Sequence, residues 1–154
     1  MPASDWQTGP LTPEELAEVV AIDAAITGRD RGAFFARRLA RTLAAPKRFV
    51  HVGLRRDGRL AGFALARLMD GEFGDATRAA ALDAIGVHPD HAGAGGGRAL
   101  IDALMAVLER KGIDRVVTEV DWEARGLLDF LAAAGFAPAE SLVVERALAP
   151  GSSL

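Results

Sequence analysis

The chain has 154 residues and a mass of 16.2 kDa, with 50% apolar and 25% charged residues, a composition that builds one domain core and excludes a low-complexity disordered chain. It has no cysteine, which excludes a disulfide scaffold, a cysteine-ligated metal and a thiol nucleophile of its own. The net charge of -3 hides an asymmetry: Arg29 to Arg56 carries nine cations and one anion, Asp30, for a local +8.

Met1 to Pro10 lacks the basic start and apolar centre of a secretory signal. The most apolar stretch is interrupted by Asp102 and Glu109, short of the roughly 18 apolar residues that a membrane span needs. The expectation is one soluble cytoplasmic domain over residues 1–154, without a membrane partner and with a frayed tail at 150–154.

Thr12-Pro13-Glu14-Glu15 combines an N-cap, a first-turn proline and first-turn acids, so a helix starts there and runs to Gly28. A second amphipathic helix follows, with Phe34, Phe35, Leu39 and Leu43 expected inward, and Pro46 ends it. The period then changes to two. Phe49 to Arg55 and Leu60 to Met69 read as strands joined by the hairpin pair Asp57-Gly58. After a polar loop, Asp70 to Thr77, come a strand from Ala81 to Val87 and the stretch His88-Pro89-Asp90-His91-Ala92-Gly93-Ala94-Gly95-Gly96-Gly97. A helix with Leu100, Ile101, Leu104, Met105 and Leu108 on one face follows and ends at Lys111-Gly112. Further on, the pattern predicts a strand from Val116 to Val120, a helix capped by Asp121 and reaching about Ala134, a Gly135-Phe136 turn, and a last strand from Leu142 to Arg146. Alternating strands and helices predict an α/β fold of the α+β type.

The glycines therefore sit at a helix N-terminus, where unpaired N–H groups and about half a positive charge attract an anion, and where missing side chains admit a phosphate close to the backbone. The Lys-Ser/Thr ending of a P-loop is missing, and Arg98 stands where a dinucleotide fingerprint needs its third glycine. A plain flexible loop is the competing explanation for glycines alone.

The wider segment, Ala81 to Leu100, resembles the signature of the GNAT superfamily of acyl-CoA N-acyltransferases: a strand, a Val-x-Pro turn, an Arg/Gln-x-x-Gly-x-Gly/Ala loop and a helix. The Gly-x-Gly part falls on Gly95 and Gly97, and Gly135-Phe136 matches the family's ending of the next helix. The resemblance implies a mixed central sheet, mostly antiparallel with a central parallel pair, flanked by about four helices. It also implies acetyl-CoA as co-substrate, without a metal. Its pyrophosphate would lie on Ala92, Gly93, Ala94, Gly95, Gly96, Gly97 and Arg98, and its pantetheine on the backbone of Ile85, Gly86 and Val87. Gly86, inside an apolar strand, is independently the residue expected at a bulge or a close approach.

Two departures stand out. The family's Arg/Gln position holds Ala92, and the tyrosine that many members use to protonate the departing thiolate falls on Leu131, in a chain with no tyrosine. Asp83, on the strand leading to the loop, is the candidate base, although the commonest family position is two residues earlier at Ala81; a satisfied structural acid is the competing account. Glu119 is a second candidate for holding a water relay, while Asp121 is explained as a cap. Arg29, Arg31, Arg38 and Trp122 are candidate acceptor contacts, set against a solvated basic helix face and helix-start packing. His88 and His91 flank the Pro89-Asp90 turn and His51 lies on a separate strand; the three lack metal-ligand spacing and read as surface histidines. No Gly-x-Ser-x-Gly appears to support nucleophilic hydrolysis.

The leading expectation is direct transfer of an acetyl group from acetyl-CoA to a primary amine of a small molecule or peptide. A non-catalytic acyl-CoA-binding sensor or partner subunit is the first alternative. A nucleic-acid module is disfavoured, because the +8 segment lacks exposed interleaved aromatics. Homodimerisation follows from family habit alone. Acceptor specificity is expected in the first two helices, the Asp70 to Thr77 loop and the last strand.

Overall fold

The computed structural model describes residues 5–69 and 78–149, so the expected specificity loop and the frayed tail lie outside the described residues. Two compact units are present, Met1–Asp121 and Trp122–Leu154.

In the first unit, five strands form one sheet in the order β1 (Gln7–Pro10), β2 (Phe49–Arg56), β3 (Arg59–Met69), β4 (Ala79–Val87) and β5 (Arg115–Val117). All neighbours are antiparallel except β4 and β5, so the parallel pair stands at an edge of the described sheet rather than at its centre. The β2–β3 turn is the expected one, with positive φ at Asp57 (52°) and Gly58 (77°), the geometry that matches strand twist. Strand β1 was not legible: Gly9 and Pro10 read as loop, and only the edge position beside β2 lets such a segment pair.

Helices α1 (Leu16–Thr27) and α2 (Gly32–Ala44) cover one face. There Val19, Ile22 and Phe35 pack on Phe63 and Leu65 of β3. The entry to α1 is set by Glu15, whose carboxylate accepts from the Thr12 N–H at 2.9 Å, and its exit by Gly28 at φ 74°. Leu43, expected inward, is 64% exposed, because the buried stripe of α2 runs through Phe35 and Arg38 instead. Helix α3 (Gly96–Arg110) buries Leu100, Ile101, Leu104 and Leu108, and Leu54 of β2 lies against its first residue.

Strand β4 begins two residues earlier than predicted. Its register against β3 passes from Leu65↔Ala84 to Ala66↔Leu82, so Asp83 is the extra, bulged residue and Gly86 is paired regularly with Phe63. The bulge predicted at Gly86 thus sits three residues upstream, while the close approach at Gly86 is real: a Cβ there would lie 2.6 Å from Ile26 Cδ1 and 3.2 Å from Phe63 Cε1. A bulge bends and over-twists its strand. In accord with that, the parallel ladder to β5 ends at Ala81↔Val117, and only the Thr118 hydroxyl still reaches the Leu82 carbonyl, at 2.8 Å. Strand β5 is therefore shorter than the predicted Val116 to Val120.

The second unit contains α4 (Arg125–Ala133), after which no helix or strand is formed among residues 134–149. The helix starts later than an Asp121 cap would require, since the Arg125 N–H is taken by the Glu123 carbonyl at 2.9 Å and the chain turns first. The predicted strand at Leu142 to Arg146 does not form. Among the described residues of this unit there is no strand, so the segment has no neighbour within it to form a ladder with its N–H and C=O groups.

Candidate active site

Between β4 and α3 the chain makes a 3-10 turn at Pro89–His91 and then two left-handed glycines, Gly93 (φ 77°) and Gly95 (φ 83°), the second at the N-cap of α3. These conformations favour glycine and turn successive amides outward. Among the described residues the amides of Gly93, Ala94, Gly95, Gly96 and Gly97 have no acceptor, whereas that of Ala92 is closed onto the Pro89 carbonyl at 3.1 Å. Five such donors at a helix N-terminus can accept a phosphate-type anion. Arg98 adds a cation at the rim of this cradle, its Nε 3.1 Å from Asp102 Oδ1. Ala92, exposed, adds no polar side chain.

The cradle is pinned by a residue that sequence reasoning missed. The Trp6 indole N–H donates to the Ala94 carbonyl at 2.9 Å, and Arg56 stacks on the same ring at 3.8 Å. Drawing that carbonyl toward Trp6 leaves the neighbouring amides as the donors of the loop. Gly96 is buried under this contact, where a Cβ would lie 2.7 Å from Leu54 Cδ2 and 3.3 Å from the Trp6 ring. A tryptophan 88 residues away from its partner has no local signature in the sequence.

Past Ala81 no described strand pairs with the β5-side edge of β4. In a strand, alternate residues direct their N–H and C=O groups to opposite sides. The segment Asp83 to Val87, which includes Ile85 and Gly86, therefore leaves backbone donors and acceptors open on that edge, up to the turn that leads into the glycine cradle.

At the bulge, Asp83 Oδ2 accepts from Arg38 Nη1 at 2.8 Å and from Arg67 Nε at 3.0 Å. Arg38 is buried, so it is not part of a solvated basic face. Burial pushes its guanidinium pKa down, and the Asp83 hydrogen bond and charge oppose that. Its Nε donates to His51 Nε2 at 3.1 Å, its ring-facing side lies 4.7 Å from the Phe49 centroid, and its Nη2 is buried without a partner. His51, on β2, is accordingly not a surface histidine. Burial first, and the Arg38 charge second, bring its pKa down to about 4, so the ring is neutral near pH 7. Arg38 and His51 line a cavity of about 310 Å³ bounded by Leu11, Leu16, Leu39 and Leu43.

The other candidates are dispersed. Arg31 holds the buried Asp23 at 2.5 to 2.8 Å, tying α1 to α2, and Arg29 is exposed beside Gly28; neither lines the cavity. Arg55 pairs with Glu15. Three of the nine cations of the +8 segment, Arg31, Arg38 and Arg55, are thus paired with carboxylates from outside it. Glu119 is exposed and lies past the end of β5 rather than on it. Trp122 belongs to the second unit and is 89% exposed. His88 accepts from the Asp90 amide at 3.1 Å within its own turn.

Solved structures share this architecture. An aminoglycoside acetyltransferase from an uncultured soil metagenomic sample, in complex with trehalose, is 16% identical, with 95% of this chain and 97% of that chain covered and a TM-score of 0.76. An aminoglycoside N-acetyltransferase in complex with CoA is 18% identical, with 92% and 94% covered and a TM-score of 0.76. A ribosomal-protein-alanine N-acetyltransferase from Brucella melitensis is 23% identical, with 92% and 98% covered and a TM-score of 0.70. No curated protein matches the chain in sequence. Residues 16–136, from α1 to the turn after α4, match the model of the acetyltransferase (GNAT) family, and the chain belongs to that family.

Proposed function

We propose that the protein is an acetyl-CoA-dependent N-acetyltransferase that moves the acetyl group directly to a primary amine of a small molecule or peptide. The observation that carries this reading is the succession of two open backbone surfaces joined by one short turn: the free edge of β4 from Asp83 to Val87 and the acceptor-less amides of Gly93 to Gly97. Bound acetyl-CoA supplies the activated acetyl thioester. The cradle, with Arg98 beside it, holds the pyrophosphate, and the open groups around Ile85, Gly86 and Val87 pair with the amides of the pantetheine arm as a further strand would. The same edge offers backbone N–H to the thioester oxygen as charge grows on it.

Without a tyrosine at position 131, thiolate departure rests on water and backbone donors. A thiol of pKa about 8.5 leaves at pH 7 with a penalty of only about 2 kcal/mol, so that loss is tolerable. Deprotonating the acceptor demands more. A lysine-like amine costs about 4 to 5 kcal/mol at pH 7, and an α-amino group about 1 to 1.5. Asp83 has one oxygen, Oδ1, without a hydrogen bond among the described residues. That oxygen takes the ammonium proton, directly or through water, with exposed Glu119 as an outlet. The amine nitrogen then forms the C–N bond as the C–S bond breaks.

Thiol release on mixing protein, acetyl-CoA and a panel of amines tests the reading, with the N-acetyl product identified by mass spectrometry. Amine-dependent release matched one to one by product is the expected result. Binding of acetyl-CoA without turnover on any amine would instead make the protein an acyl-CoA sensor or partner subunit.

A further inference from the structure

We propose that Arg56 is a side-chain ligand of the coenzyme's pyrophosphate, a cation brought to the glycine cradle from the end of β2 in place of the one missing at Ala92. This rests on the acetyltransferase reading, to whose coenzyme site it adds a residue. Arg56 ends β2 and shares a face of that strand with Leu54, two residues back. Leu54 lies under Gly96, the first residue of α3, so this face of β2 meets the start of the helix. The Arg56 guanidinium carbon stacks 3.8 Å from the centroid of the Trp6 ring. The same ring donates its N–H to the Ala94 carbonyl, touches Gly96, and meets His91 edge-on at 5.5 Å. One indole thus carries both the loop and the arginine, and holds the cation next to the loop whose amides are open.

The charge of Arg56 is unspent. Arg31, Arg38, Arg55, Arg67 and Arg98 each pair with a carboxylate. Arg56 is partly buried and makes no hydrogen bond or ion pair among the described residues. Of its three guanidinium nitrogens only Nε is closed off, against the indole, so both Nη groups stay open to a ligand. A guanidinium drawn partly out of water without an acceptor is costly, and a phosphate oxygen relieves that cost. Two neighbouring Nη groups form the fork that phosphate matches with two parallel bonds, and the stack on Trp6 limits the rotamer freedom lost when they are formed. Arg98, nearer in sequence to the loop, already has its Nε on Asp102. Ala92 leaves the lip without a polar side chain, and Arg56 supplies from the sheet what that position lacks.

The test is calorimetric titration of acetyl-CoA and of its 3'-dephospho form into the wild type and Arg56→Gln, at low and at high salt. The expected result is binding about tenfold weaker in Arg56→Gln at low salt, the value of one charge-assisted contact, with the difference shrinking as salt screens it. The loss should be the same for both ligands, since both carry the pyrophosphate. Arg56→Met, which keeps an alkyl stem on Trp6 without the charge, should behave as Arg56→Gln, and Arg56→Lys should recover part of the loss. A Kd unchanged in Arg56→Gln would overturn the assignment of Arg56. So would a loss indifferent to salt, which would reflect only slackened packing on Trp6. A loss confined to acetyl-CoA would place Arg56 on the 3'-phosphate and overturn the pyrophosphate contact. Absence of binding by the wild type would overturn the acetyltransferase reading, and this assignment with it.

Discussion

Arg38 Nη1 donates to Asp83 Oδ2 at 2.8 Å across 45 residues of sequence, so helix α2 and the bulge of β4 share one partly buried ion pair. Removing the carboxylate strands a buried guanidinium, which costs about 3 to 5 kcal/mol in comparable pairs. Asp83→Ala should accordingly unfold at clearly lower denaturant than wild type, and Asp83→Asn, which keeps an oxygen for Arg38, at an intermediate concentration. Equal midpoints for all three proteins would show that the pair is not structural.

His51 makes stability depend on pH. Unfolded, the ring takes a proton near pH 6.5; folded, burial and Arg38 keep it from doing so until about pH 4. The unfolded state therefore binds more protons between these values, and stability is complete above about pH 6.5, falls as pH drops toward 4, and levels off below. The loss through this window should be about 2 kcal/mol after allowance for partial exposure. His51→Gln, which keeps an acceptor for Arg38, should flatten the midpoint-against-pH curve in that interval. An unchanged slope would assign the acid sensitivity to other groups.

The fold was legible where a single residue type has one strong physical use. Asp57-Gly58 declared the hairpin, Gly28 the end of α1, and Gly93 and Gly95 the loop before α3, each through the conformation it permits. The cradle was legible for the same reason. The bulge was not, because its position depends on which residue β3 skips, and Asp83 announces only a charge in an apolar strand. Nor were Trp6, His51 and the burial of Arg38, whose roles arise from partners 88, 13 and 45 residues away. The Leu142 to Arg146 segment has strand composition without a strand beside it in its own unit, which is why composition misled there.

Trp6 ties the glycine loop down through its N–H bond to Ala94 and through ring contacts with Gly96 and His91, so its loss should be felt as looseness of the cradle. Trp6→Phe keeps a smaller aromatic face for Arg56 and removes the N–H to Ala94 together with part of the ring that covers Gly96. Loss of about 1 kcal/mol of loop order should weaken acetyl-CoA binding roughly fivefold. Calorimetric titration measures this directly, and an unchanged Kd would show that the loop holds its shape without the tryptophan.

Position 92 offers a gain rather than a loss. Ala92 is exposed at the lip of the cradle with φ -62°, a conformation open to any residue. Ala92→Arg places a guanidinium beside the phosphate site and should tighten coenzyme A binding by about five- to tenfold at low salt, less at high salt. No change at either ionic strength would place the phosphates away from this lip.

The most direct test of the account is calorimetric titration of acetyl-CoA into the wild type and into Ala94→Glu, an exposed substitution that sets a carboxylate beside the donor amides without straining a left-handed glycine. Saturable binding at one site per chain, lost or weakened by at least about a hundredfold in the variant, is the predicted result, since a like charge at an anion site costs several kcal/mol. Equal binding by both proteins would contradict the placement of the coenzyme on the Gly93 to Gly97 amides, and no binding by either would contradict the acetyl-CoA assignment itself.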